Sequence, residues 1–223
     1  ARTSLQYDEI QKRIPKLIEN LYKNVPTGVG ASGAIKKQSA KEIMKILNNG
    51  SNWAVDNGFG TDEDLEFTEE NGKLEHADAE AVSERAIERG KDQAGTLGSG
   101  NHFLEVDVVD EVFEEKAAEA FGLSKGQVVI LIHTGSRGLG FQICDDYLKV
   151  IGKADQKYGF KLPDRQLACA PVQSPEGADY LGAMQGAANF AWNNRQIIMH
   201  LAKKSLMQTL GISEQALDFH LVY

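Results

Sequence analysis

The chain has 223 residues, 42% of them apolar and 25% charged, which is ordinary for a globular protein with room for one sizeable core. No stretch approaches the roughly 20 apolar residues of a membrane span, and the opening Ala1-Arg-Thr-Ser-Leu-Gln-Tyr-Asp lacks the pattern of a secretory leader. A net charge of −8 argues against a uniformly basic nucleic-acid binder, but leaves room for a local basic cleft on an acidic body.

In chain order, residues 8–24 place Ile10, Ile14, Leu17, Ile18 and Leu21 at helical spacing. Pro15 inside that run predicts a kink or a split into two short helices. Val25 to Ser39 is Gly-rich and reads as a loop. Ser39 then caps a helix from Ala40 to Leu47 that Asn48-Asn49-Gly50 ends. Gly50 to Lys73, rich in Gly, Asn and acids, reads as irregular, and His76 to Arg89 as an exposed helix stopped by Gly90. Val106-Asp-Val-Val is strand-like, Val112 to Phe121 helical. Gln127-Val-Val-Ile-Leu-Ile-His133 is a continuous apolar run expected to be a strand buried on both faces. Gly138 to Tyr158 is helical, Pro163 to Pro175 a loop, and Ala178 to Leu210 one long helix or two end to end. Leu217 to Tyr223 looks like the start of a further strand. The expected class is α+β, with mixed sheets flanked by helices.

Cys144 and Cys169 fall in no paired motif, which argues against a disulfide framework or a self-contained zinc module and favours a reducing, cytoplasmic setting. The acids crowd the first half, whereas the part from His133 onward supplies Arg137, Arg165, Arg195, Lys203 and Lys204.

Two segments repeat one design. Gly98-Ser-Gly-Asn-His102 and His133-Thr-Gly-Ser-Arg-Gly-Leu-Gly140 each set a histidine at the end of a strand-like run beside a Gly-rich turn. Paired imidazoles suit Zn²⁺, Mn²⁺ or Fe; equally, each can be a hydrogen-bonded histidine of the core. Thr134-Gly-Ser-Arg-Gly reads as a phosphate-binding turn with amides on Gly135 and Gly138, the Ser136 hydroxyl and the Arg137 guanidinium, or as a tight turn with a surface arginine. It lacks the Gly-Lys-Ser/Thr of a Walker loop and the Gly-x-Ser-x-Gly of a nucleophile elbow. His76 reads as solvated and His200 as packed at a helix interface; His220 is unranked. Asn189, Trp192 and Arg195 could line a cleft from one helix, or belong to a mixed helix surface.

Gly95-Thr-Leu-Gly-Ser-Gly-Asn-His-Phe-Leu-Glu105, His133-Thr-Gly-Ser-Arg-Gly-Leu-Gly140 and Ala187-Ala-Asn-Phe-Ala-Trp-Asn-Asn-Arg-Gln196, taken together and in order, resemble three signatures of the RtcB family of RNA ligases. The resemblance covers essentially the whole chain. It implies a GTP- and Mn²⁺-dependent enzyme that joins an RNA 2′,3′-cyclic phosphate or 3′-phosphate end to a 5′-hydroxyl end. The route would pass through a guanylylated histidine and an activated RNA 3′ end. Two metal ions, RNA such as tRNA halves or broken ends, and an archease helper protein are the implied partners.

Carried over residue by residue, His102 and His133 match two metal ligands. Asn101, His102, Phe103, Leu104 and Glu105 fall in the guanine-nucleotide stretch, and Arg137 matches a position for an RNA phosphate. Arg85 and Arg89 could extend that basic surface by charge. The family's Asp-x-x-Cys-Gly ligand segment, its His-Asn pair, its nucleophilic histidine and a terminal lysine have no match here. With no initiator Met, the expectation is therefore the central part of a single catalytic domain, truncated at both ends and inactive alone. The rival readings are a module that binds metal or nucleotide without catalysis, and a metal-dependent phosphodiesterase.

Overall fold

The structure, a computed structural model, describes residues 1–164 and 167–221, so Arg165 and the last two positions of the expected C-terminal strand lie outside the described residues. The chain opens with strand β1 (Arg2–Gln6), then α1 (Tyr7–Ile10) and α2 (Ile14–Asn24), separated by one 3₁₀ turn. The expected split of the first helical run is thus present. It falls just before Pro15, which takes the first turn of α2, where its missing N–H breaks no helical bond. Helix α3 (Ala40–Asn49) starts where Ser39 Oγ accepts from Glu42 N at 3.2 Å. It ends at Gly50, whose φ of 56° and whose closeness to the Gly72 carbonyl (2.0 Å from an added Cβ) exclude any side chain.

The stretch expected to be irregular contains α4 (Ser51–Asp56) and α5 (Asp62–Glu66). A reciprocal cap explains α5: the Thr61 side chain accepts from the backbone of Asp64, whose carboxylate bonds Thr61 N at 3.0 Å. Conversely, the helix expected over His76–Arg89 shrinks to α6 (Glu84–Gly90). Asp78 N is drawn to Gly182 O at 3.0 Å and Ser83 caps α6, so the helix begins only after Ser83. Nor is it an exposed helix, since Ala86 and Ile87 are buried.

Strand β2 (Phe103–Val108), α7 (Glu115–Phe121) and β3 (Gln127–His133) follow, then α8 (Arg137–Tyr158), α9 (Pro175–Leu210) and α10 (Glu214–Leu217). The long C-terminal helical stretch is one helix of 36 residues, about 54 Å at 1.5 Å per residue. The expected strand after Leu217 is, in its described part, a single antiparallel bridge between His220 and Arg2. Among the described residues, no helix is long and apolar enough to cross a membrane.

The class is α+β. The strands form one antiparallel sheet in the order β1-β3-β2, and among the described residues parallel pairing is confined to the bridge between Thr27 and Gly98. β2 and β3 run in register from Phe103 opposite His133 to Val108 opposite Val128. One sheet face, with Leu104, Val106, Val128, Ile130 and Ile132, packs on α2, α9 and α10 through Leu17, Leu21, Leu206 and Leu217. The other face carries Phe103, Glu105, Leu131 and His133. Leu131 is 52% exposed, so β3 is not buried on both faces as its apolar run suggested. In an antiparallel sheet one covered face is enough.

A second core fills the space between α3, α4, α6, α8 and α9 around Ile43, Leu47, Trp53, Leu139 and Phe190. Val25, Leu97 and Ile198 join the two, so α9 is the element both cores share.

Candidate functional site

The two Gly-rich loops meet at the end of the sheet and are held there by one buried side chain. Asn194, fully buried on α9, uses its whole hydrogen-bonding capacity. Its Oδ1 accepts from Gly95 N at 2.7 Å and Thr96 N at 3.1 Å, and its Nδ2 donates to Thr96 O and Gly135 O, each at 3.1 Å. Next to it, Arg195 Nη1 donates to Thr134 O at 3.0 Å. The loops also bond directly, Thr134 Oγ1 donating to Leu97 O at 2.6 Å. A buried backbone dipole that loses its partner costs about 1–3 kcal/mol; of these groups Thr96 N also reaches Gln93 O, at 3.3 Å.

This clamp sets His102 beside His133, ring centroids 6.0 Å apart and planes tilted by 41°. The Phe103 ring stacks on His133 at 5.2 Å, as their direct cross-strand pairing dictates. His102 Nδ1 is buried and has no hydrogen-bond partner among the described residues. Burial first, then the Arg137 charge and the neighbouring His133, lower the His102 pKa, with the Leu97 backbone pulling the other way. A neutral imidazole with an open ring nitrogen is the form that binds a metal ion, so the donor set fits one. It is a partial set: among the described residues no group of three His, Cys, Asp or Glu stands ready to hold a metal.

Arg137 begins α8 with φ at +54°, a conformation that non-glycine residues seldom adopt. Its side chain is anchored, Nε donating to Thr96 Oγ1 at 3.1 Å and Nη2 to Gly28 O at 3.2 Å. Gly98, at φ +105°, makes room for it: an added Cβ would stand 2.2 Å from Arg137 Nη1 and 2.3 Å from His102 Nδ1. Guanidinium and imidazole thus share the space that a side chain at position 98 would fill.

Among the expected nucleotide-contacting residues, Asn101 is exposed, and Phe103 and Glu105 lie on the open sheet face. Leu104, between them, has its side chain turned towards the core by strand alternation. The Gly138 amide, expected to face a phosphate, is already taken by Gln93 Oε1 at 2.9 Å. Arg89 lies on that same side, its guanidinium 5.5 Å above the Phe141 ring. Arg85 is further out, next to Asp145.

The other sequence candidates have different roles. Asn189 is fully buried and bonds Leu47 O and the Leu74 backbone, away from the histidines. Trp192 and Arg195 do line a cleft of about 490 Å³, together with Leu131, Met199, Phe67 and Glu69. Burial lowers the Arg195 pKa, and Glu69 raises it. His200 packs edge-on against Phe59 at 5.6 Å, and burial lowers its pKa. His220 bridges Glu63 and Asp218, each at 2.9 Å. His76 is exposed, in a turn rather than a helix. Cys144 and Cys169 are free thiols, Cys144 exposed. Thr96, Thr134, Gln93 and Asn194, which organise the site, were not among the candidates. Thr96, Thr134 and Asn194 do lie within the three signature segments, but nothing in their residue types sets them apart there.

A family model described as tRNA-splicing ligase RtcB matches residues 1–223. A tRNA-splicing ligase RtcB of Methanocaldococcus jannaschii is 52% identical over 223 residues, all of this chain and 23% of that protein. Proteins of the same description from Archaeoglobus fulgidus and Thermococcus kodakarensis are 50% and 48% identical over 222 residues, 46% of each. The chain therefore spans between about a quarter and a half of the length of these curated relatives.

Proposed function

Because the chain belongs to the RtcB family, we propose that the protein carrying it is an RNA ligase. It joins a 2′,3′-cyclic phosphate or 3′-phosphate end to a 5′-hydroxyl end, with GTP and Mn²⁺ as cofactors and tRNA halves or broken RNAs as substrates. An archease helper belongs to the same reading. The observation that supports it is the Asn194 clamp, which brings a histidine with an open buried nitrogen, a second histidine and an anchored arginine to one point.

In this reading His102 and His133 hold Mn²⁺, which when bound supplies Lewis-acid stabilisation of charge on phosphoryl oxygens. Arg137 receives an RNA phosphate: its Nε and Nη2 are spent on Thr96 and Gly28, which fixes the guanidinium plane before RNA arrives. Phe103 and Glu105 offer a ring and an acceptor-only carboxylate to the nucleotide, the latter complementary to the N–H groups of guanine. The covalent histidine that the reaction requires is not assigned to any of the five histidines here, so these residues bind and orient.

The test uses the whole protein and two RNAs, one ending in a 2′,3′-cyclic phosphate and one beginning with a 5′-hydroxyl. A joined product that needs both GTP and Mn²⁺ is expected. Hydrolysis of the cyclic phosphate without joining, or no reaction, overturns the reading. Gly98→Ala, which forces His102 and Arg137 apart, should weaken Mn²⁺ binding in a calorimetric titration by about 10- to 100-fold, the range seen when the support of a metal ligand is lost.

A further inference from the structure

Phe141, one helical turn along α8 from Arg137, is 67% exposed although it is a large apolar ring. The Arg89 guanidinium lies 5.5 Å over it, steadied by a bond from Nη1 to Gln142 Oε1 at 3.1 Å. Arg89 also packs beside Gly138, where an added Cβ would sit 3.8 Å from its own Cβ. The ring is therefore oriented from one side by a fixed cation and open on the other.

We propose that Phe141 and Arg89 form a stacking shelf for a nucleobase of single-stranded RNA, next to a phosphate held by Arg137. The proposal rests on the ligase reading and adds to it a contact with a base. Arg137 and Phe141 are separated by about one 5.4 Å turn, so a strand whose phosphate sits on the first can lay a neighbouring base on the second. Every base has a π-face, so such a shelf grips RNA without reading its sequence. A guanidinium beside the ring adds a positive charge that suits a polyanion and would repel a basic partner.

The acids nearby are engaged. Asp145 pairs with Lys149 at 2.6 Å, and Asp146 accepts from Ser83 Oγ and Gln142 Nε2. Leu148, 50% exposed further along α8, makes a protein contact the rival use of this face. The cation stacked on the ring and the adjoining Arg137 favour RNA.

The experiment measures binding of the whole protein to two fluorescent single-stranded RNAs with 3′-phosphate ends, one intact and one abasic in its last three nucleotides. Phe141→Ala should weaken binding of the intact RNA by about 5- to 100-fold, the range for loss of one stacked base. It should leave binding of the abasic RNA within about twofold, and Phe141→Trp should restore the intact RNA. Equal losses on both RNAs, or no loss on either, overturn the shelf. Unchanged RNA binding with an altered oligomeric state in light scattering also overturns it, and assigns the face to a protein contact. Base-dependent binding without any joining keeps the shelf and removes the ligase reading.

Discussion

From its start to its middle, α9 lets Asp78 and Leu47 approach closely at Gly182 and Gly186, and its Asn189 and Asn194 reach out to bond the backbones of loops. Along the second half, Ile198, Ala202 and Leu206 press on the sheet, and the polar contacts join helix to helix, as Asn24 to Ser205 and Asn20 to Thr209. The same helix is thus a polar clamp at its middle and an apolar wall towards its C-terminal end. A wall tolerates small shifts of what it covers. A clamp that uses directional bonds fixes loop positions, and a site assembled from two loops needs the second kind of support.

Substitutions in the two parts should therefore fail differently. Asn194→Leu removes four bonds and takes this partner from Gly95 N and from the Thr96 and Gly135 carbonyls, while Thr96 N keeps Gln93 O, so we expect a loss of about 4 kcal/mol in denaturant unfolding. Joining should fall even under conditions where the variant is still folded. Leu206→Ala should cost about 3 kcal/mol through the cavity it leaves, with Mn²⁺ affinity unchanged in the folded protein. A folded Leu206→Ala variant with a damaged metal site would break the contrast between clamp and wall.

The smallest effect lies where α8 meets the start of α9. The Glu176 carboxyl is held down to about 2 by the bond from Lys157 first, then by its own backbone amide and Tyr158. A lowered carboxyl pKa stabilises the fold above its ordinary value of 4.5 and loses that contribution as the pH falls towards 2. The melting temperature of Glu176→Gln should lie slightly below that of the unsubstituted protein at neutral pH, and the gap should close on acidification. A gap that widened in acid would show that this pair does not hold the two helices together.

The sequence made some of this plain and hid the rest for identifiable reasons. Long periodic or apolar runs, as in α8, α9 and β3, could be read because their partners scarcely matter to the pattern. The short helices α4 and α5 were hidden because Gly and Asn dominate their surroundings, and a reciprocal cap between Thr61 and Asp64 is worth more than composition suggests. The overlong helix at His76–Arg89 arose because Ala and Glu favour helix locally, while the pull of Gly182 on Asp78 comes from a hundred residues away. His102 and His133 stood out through their glycine neighbours, and the structure brings them together. Asn194 did not, because an asparagine in a helix shows nothing of partners that lie far away along the chain.

That separation has a consequence for how the protein comes into being. Gly95 waits for Asn194 across 99 positions, and at synthesis rates of about 5–20 residues per second the delay is roughly 5–20 s. Until α9 leaves the ribosome, both glycine loops are without their clamp, so the strands bearing His102 and His133 can form while the loops hold each other only through their direct bonds. Ribosome-bound chains stopped before Asn194 should then remain open to protease at these loops, and longer chains should close.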